Sequence, residues 1–393
     1  MSAPNPKKSD QPIEELSMSH KPPQIPFSSG TVSKQTHVDL PNGTFEEEYG
    51  RQGFFGRTTH LYRKNAPTGW TRIDGPLHPH AYDANAALGT ATTAPKRFLG
   101  NDDVCLWIYA PQKQTPHYVR NADGDEAWFI HAGSGFLETD FGPLKYRKGD
   151  YLVVPRGTTY RFFPDAGAPQ FYLLIESFSE FELPDRGSLG RHAFLDPACI
   201  DVPQAAASGA PATDGKEWKL KIKRQNEYTD VYYPFNPLNV VGWRGDAFAY
   251  RFNVEDIRPI ISPRFHLPPS VHTTLMAKNF VLCTFAPRPM ETGDPKAQRV
   301  PFFHSNIEFD EVIFYHDGDF FSRSGITPGM FTFHPQGIHH GPHPKAFANQ
   351  FSKEFAQEYA VMIDTTRPLK AFDTAVSCEM VDYKNSWKEY AKP

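Results

Sequence analysis

The stretch HSNIEFDE, residues 304–311, sets His304 and the acids Asp310 and Glu311 at the entrance to an apolar run, VIFY, which ends at the turn signal DGD. An imidazole and a carboxylate this close suit either a solvated strand end or half of a divalent-metal site. These residues alone leave both uses open. Downstream, FHPQGIHH (333–340) adds His334, His339 and His340 around a Pro-x-Gly turn, and upstream FHLPPS carries His266. A neutral imidazole at such positions can ligate a metal or accept a proton near neutral pH.

These residues must be positioned by strands. From Val104 onward, VCLWIYA, DEAWFIHAG, DYLVVPRG, TYRFFP and QFYLLIES are short aromatic and β-branched runs separated by Gly, Asp and Pro, the pattern of an antiparallel sandwich or barrel. TTLMA, FVLCTFAP, DEVIFYHDG and GMFTFHPQG repeat that style, and SKEFAQEYA suggests a short helix in the tail. The two blocks align position by position: GDEAWFIHAGSGF (124–136) lies over FDEVIFYHDGDFF (309–321), and PRGTTY (155–160) over PQGIHH (335–340). Glu126 and Glu311 each precede a glycine, Gly133 or Gly318, by the same interval. One module is used twice.

The shared pattern resembles the two motifs of the cupin superfamily, a small β-barrel family. His304, Asn306, Glu311 and Gly318 fall on the first motif, and Pro335, Gly337 and His340 on the second. That resemblance selects Glu311 over Asp310 and His340 over His339. It implies a metal bound by His304, Glu311 and His340, with Asn306 in place of a fourth ligand. Two His and one carboxylate leave open coordination positions, as in non-haem Fe(II) oxygenases. The first block has Val119, Asn121, Glu126 and Tyr160 at the matching positions, so a metal is not expected there. The expected fold is mainly β: two cupin-like β-barrel modules, a bicupin, with short helices and long loops. The expected divisions are a disordered leader over 1–40, a metal-free N-terminal module over 41–200, a linker or surface loop over 201–216, and a C-terminal module with the iron site over 217–393.

Composition narrows the partners. Net charge is −4 and no long cluster of Lys and Arg occurs, which argues against nucleic acid or an anionic membrane and favours a small molecule. The four cysteines lack CxxC spacing, which fits a reducing cytoplasm. No stretch is long and apolar enough to predict a membrane span or a secretion signal.

Beyond the cupin motifs the chain resembles the homogentisate 1,2-dioxygenase family over roughly residues 50–345. LYRKNAPTGW, RNADGDEAWFIHAGSGFLETDFGPLKYRKGDYLVVPRGTTYRFF, YLLIESFSEFELPDRGSLG, PFNPLNVVGWRGDAFAYRFNV and FHLPPS carry the resemblance in order. It implies mononuclear Fe(II), a small aromatic acid and O2 as substrates, conversion of homogentisate to maleylacetoacetate in aromatic amino acid catabolism, and assembly as a trimer or hexamer. It assigns His304, Glu311 and His340 to iron and His266 and His334 to catalysis. His266 is then the base that takes the phenolic proton, or else a wall residue; His334 contacts substrate, or else hydrogen-bonds behind the ligands. His339 and His343 are expected at the rim, and His131 and His316 in equivalent turns. Ser305 and Phe320 depart from the Arg and Tyr of the family, which brings in another para-diphenol or aminophenol acid as alternative substrate, with Arg264 or Arg323 as the replacement cation. A metal-free binding or storage bicupin is the alternative outside enzymes.

Overall fold

The computed structural model describes residues 28–205 and 216–391. Two large sheets dominate. The first runs Tyr250–Asn253, Asp150–Val154, Asp125–Ala132, Phe171–Ser177, Val104–Tyr109, Lys96–Gly100, Lys370–Ala371. The second runs His80–Asp83, Met330–His334, Asp310–Gly318, Glu358–Thr365, Phe280–Phe285, Thr273–Ala277. Leaving out Lys370–Ala371, the two orders match strand for strand, so the duplication read from sequence is a duplication of topology. The fold is mainly β, with two modules.

The two large sheets bury their inner faces against each other. Phe129, Tyr151, Leu173 and Ile175 of the first share one apolar core with Val312, Phe314, Phe331, Val361 and Ile363 of the second. Phe129 and Phe314, equivalent positions of the repeat, meet edge to face with centroids 6.2 Å apart. His131 and His316 also meet edge to face, with centroids 5.1 Å apart and Nδ1 atoms 2.9 Å apart. These two histidines are therefore strand residues facing one another across the pseudo-twofold interface, not members of two separate turns.

Each large sheet is backed by a smaller one. Behind the first stand Tyr118–Asn121, Thr159–Pro164, Gly135–Thr139 and Gly142–Tyr146, extended by Trp218–Arg224 and Glu227–Tyr233. Behind the second stand Phe303–Asn306, Phe45–Gly50 and Thr58–Arg63. The boundary expected near residue 217 therefore does not divide the sheets: strands between 218 and 253 pair into the first module, while those between 45 and 83 pair into the second. Hydrophobic runs specify strands but not which sheet edge completes them, so exchange of edge strands leaves no mark in a linear pattern.

Other departures are local. Of the expected leader, residues 1–27 lie outside the described residues, but Val38 bridges Ala297 and His37 is buried. Most of the expected linker, 206–215, is likewise outside them. SKEFAQEYA is not a helix; it supplies the strands Phe355–Ala356 and Glu358–Thr365, the latter central between two partners. Pairing on both sides overrides local helix propensity there. Gly133 and Gly318 have φ of +95° and +108°, and a Cβ on Gly318 would fall 1.8 Å from the carbonyl of Gln357. The glycine after each VIFY-type strand is therefore a backbone requirement.

Burial pushes the His131 ring down to about 4 and that of His316 to about 3, so both are neutral in the fold. An unfolded chain would protonate them as pH falls below the ordinary value of 6.5. Stability from this pair is then full above about 6.5 and lost as pH falls toward about 4 for His131 and about 3 for His316. Urea midpoints should drop over that range, and drop less steeply in the double variant His131→Leu, His316→Leu. Equal slopes in the two proteins would remove the pair from the account.

Candidate metal centre

Three elements deliver the site. Phe303–Asn306 carries His304, the start of Asp310–Gly318 carries Glu311, and the segment after Met330–His334 carries His340. His304 and His340 form an isolated antiparallel bridge, each amide donating to the other's carbonyl at 2.9 and 3.0 Å. That bridge fixes the two rings side by side, 3.9 Å between centroids. The equivalent pair in the first module, Val119 and Tyr160, is paired in the same way.

The Nε2 atoms of His304 and His340 each lie 3.4 Å from Glu311 Oε2, and all three side chains are buried. His304 Nδ1 donates to the Phe302 carbonyl at 3.1 Å, and His340 Nδ1 faces the Ile338 carbonyl at 3.5 Å. A carbonyl can only accept, so each ring carries its proton on Nδ1 and turns a lone pair on Nε2 toward the carboxylate. His340 Nε2 is buried without a hydrogen-bond partner, an arrangement that costs free energy unless an electron-pair acceptor sits there. Two imidazole nitrogens and one carboxylate oxygen, within 4.8 Å of one another, fit a divalent first-row metal with open positions. The structure thus brings together the three residues expected to hold iron.

His334 is cross-strand neighbour to Glu311, and its Nδ1 lies 2.8 Å from Glu311 Oε1. Burial pushes its ring down to about 4, so it is a neutral donor that turns the carboxylate. Its position is behind the ligands, with the Tyr383 hydroxyl 3.5 Å from its Nε2. Burial alone would raise Glu311, but His340, His304 and His334 hold it well below the usual carboxylate range. Across the strand pair lies Asp364, driven well above its ordinary range by burial and the Glu311 charge. It keeps its proton, because two adjacent buried carboxyls cannot both ionise.

His266 stands apart from the three ligands. Its Nδ1 is 3.0 Å from Glu291 Oε1, and its ring meets Phe302 edge-on at 5.9 Å; Phe302 in turn meets His304 at 5.5 Å. Of the two candidate cations, Arg264 is exposed and paired with Asp294, while Arg323 acts electrostatically on Glu311 and donates to the Gly341 carbonyl at 3.1 Å. Ser305 points to the opposite sheet face and donates to Glu47 at 3.2 Å. Phe320 is buried against Tyr315. His339 is half-buried on Glu47, but His343, expected at the rim, is buried beneath Trp387 and accepts from the Ser324 amide at 2.9 Å. Sequence reasoning missed Asp364, Tyr383 and Trp387; only the Glu176/Asp364 equivalence within the repeat carried a readable signal.

Asp310 has a different task from Glu311. Its oxygens accept the amides of Gln336 and Leu369 at 2.8 and 2.6 Å, as Asp125 accepts those of Arg156 and Phe181. Glu311→Gln should therefore lose most tightly bound divalent metal, whereas Asp310→Asn should keep it and unfold more easily by about 1–3 kcal/mol. Metal analysis after gel filtration, with thermal melts, reads both effects; the reverse assignment of the two losses would exchange their roles.

The family description "Homogentisate 1,2-dioxygenase N-terminal" matches residues 70–254. A protein of Saccharolobus solfataricus, provisionally named a dioxygenase, is 30% identical over 91% of this chain and 97% of its own length. The homogentisate 1,2-dioxygenase of Legionella pneumophila is 26% identical over 72% of this chain and 70% of its own. That of Nitrobacter hamburgensis is 26% identical over 68% of this chain and 62% of its own. With two cupin-type motifs converging on one His-Glu-His cluster, and relatives of this kind along its length, the chain belongs to the homogentisate 1,2-dioxygenase family and is a dioxygenase.

Proposed function

We propose that the protein is a non-haem Fe(II) dioxygenase that opens the ring of homogentisate, placing both atoms of O2 in maleylacetoacetate. The observation that carries this reading is the buried His304, Glu311, His340 cluster, with its Nε2 lone pairs and carboxylate on one side. Iron bound there would hold the substrate hydroxyl and O2 side by side and acidify that hydroxyl. His334 Nδ1 keeps Glu311 oriented by donating to Oε1. Phe54 and Phe302 pack against His304 and keep water from its ring. His266 receives the phenolic proton on Nε2, its Nδ1 lying 3.0 Å from Glu291 Oε1. Arg323, whose charge acts on Glu311, would attract the acid group of the substrate, whereas Arg264 is paired with Asp294. Assembly as a trimer or hexamer and a cytoplasmic site of action belong to the same reading.

A second reading keeps the chemistry and changes the substrate to another para-diphenol or an ortho-aminophenol acid. It is favoured by Ser305, whose hydroxyl serves Glu47 on the far face of the strand, where the family pattern has an arginine.

Two measurements test these readings. Oxygen uptake by the anaerobically iron-loaded protein should be fastest with homogentisate among homogentisate, gentisate and 3-hydroxyanthranilate; a faster rate with either of the others would select the second reading. His266→Phe should retain iron yet lose on the order of 10²- to 10⁴-fold in turnover, the range for removing a general base. Loss of iron would make His266 a ligand, and near-normal turnover at every pH would make it a wall residue.

A further inference from the structure

We infer that the chain binds a second divalent metal ion, through His37 Nε2, the Glu48 carboxylate and His60 Nε2, on the sheet that carries His304. The strands Phe45–Gly50 and Thr58–Arg63 pair so that Glu46 faces Tyr62 and Glu48 faces His60 across the ladder. On its other side Glu48 is in register with His304. Neighbours in register share a sheet face, so Glu46, Glu48 and His60 line the same face as His304. His37 folds over that face with its ring stacked on Phe302, 4.3 Å between centroids.

The donor atoms converge on one carboxylate oxygen. His60 Nε2 is 3.2 Å and His37 Nε2 4.0 Å from Glu48 Oε2, and the three ligand atoms lie within 4.8 Å of one another. The longer distance is beyond hydrogen bonding, yet two ligands about 2.1 Å from a shared ion lie roughly 3–4 Å apart. The same pattern of two Nε2 atoms aimed at one oxygen occurs at His304, Glu311 and His340. Behind His37, Glu46 Oε2 receives both its ring Nδ1, at 2.6 Å, and its backbone amide, at 2.9 Å, while the Tyr62 hydroxyl donates to Glu46 Oε1 at 2.8 Å. A carboxylate holding Nδ1–H is the usual outer support of a metal-binding histidine, and it leaves Nε2 free to ligate.

Charge strengthens the case. Glu46 and Glu48 are only 1% and 6% exposed, and their described side-chain partners are two imidazoles and a phenol, with one backbone amide on Glu46. Buried carboxylates need compensation. The repeat supplies a control, since Trp218–Arg224 runs parallel to Tyr118–Asn121 as Phe45–Gly50 does to Phe303–Asn306. Aligning Asn121 with Asn306 places Lys219, Lys221 and Asp230 where the second module has Glu46, Glu48 and His60. There, both lysines pair with Asp230 at the surface and neutralise it. The same rung in the second module has instead collected carboxylates and imidazoles, a donor set suited to Zn(II) and its first-row neighbours. His60 is 18% exposed, which leaves room for a water at the remaining position.

The test is metal stoichiometry in the full chain. After chelation and reloading with Zn(II) or Co(II), the unmodified protein should retain about two ions per chain, His60→Gln about one, His340→Ala about one, and the double variant none. Co(II) retained by His340→Ala should give visible absorption of a histidine- and carboxylate-ligated ion, lost with Glu48→Gln. A single ion in the unmodified chain that His60→Gln does not remove would overturn the inference. So would a second ion that survives both His60→Gln and Glu48→Gln, which would place it elsewhere, such as at His78, His80 and Glu379.

Discussion

The structure around the centre is organised by one requirement, that the charge of Glu311 be neutralised where water cannot reach it. An isolated carboxylate in such a place would cost several kcal/mol. His334 donates to it, Asp364 stays protonated beside it and Arg323 adds its field, while the Nε2 lone pairs of His304 and His340 leave the rest to a cation held between them and the carboxylate. The first module meets the same demand with a side chain. There Glu126 accepts from Asn121 at 3.0 Å and Trp128 at 3.2 Å and is pushed up to about 7 by burial, while Glu176 is paired with the ammonium of Lys223. Lys223 is delivered by the strand that corresponds to Phe45–Gly50. A fixed cation in one half and a cluster of metal donors in the other are alternative answers to one electrostatic problem. Around Glu126 and Glu176 the first module encloses a cavity of about 310 Å³, walled by Trp107, Tyr109, Trp128 and Phe162.

Much of this was legible in the sequence because the duplication gave two readings of one scaffold. The interval from Glu311 to Gly318 matched that from Glu126 to Gly133, which separated Glu311 from Asp310, and the Pro-x-Gly turns separated His340 from His339. Structure assigns Asp310 to two backbone amides and Glu311 to the imidazoles, in line with that distinction. The β-rich character followed from aromatic and β-branched runs between Gly and Pro. The site of His266, by contrast, came only from resemblance, and its separation from His304 by the Phe302 ring is a property of loop packing that no spacing encodes.

What stayed hidden shares a cause, dependence on partners far away in the chain. Glu358–Thr365 is a strand because Phe280–Phe285 and Asp310–Gly318 flank it, whatever its local propensity. His343 is buried because Trp387 covers it. His131 and His316 are adjacent because two copies of a sheet pack about a pseudo-twofold axis. Periodicity records which face of a strand is buried, not what buries it.

The three ligands fall within one short span of sequence, but the walls around them do not. His37 and the hairpin of Phe45–Gly50 and Thr58–Arg63 cover the strand of His304 from one side. On the other, Tyr383 stands behind His334, and Trp387 donates to the Gly341 carbonyl at 3.3 Å. A chain emerging from the ribosome with His340 just exposed would hold every ligand and still lack the lining that keeps them dry. Long-range closures of this kind are slow to form. A metal ion captured at that stage would sit open to solvent, so its retention depends on aromatic residues that are synthesised and docked after its ligands.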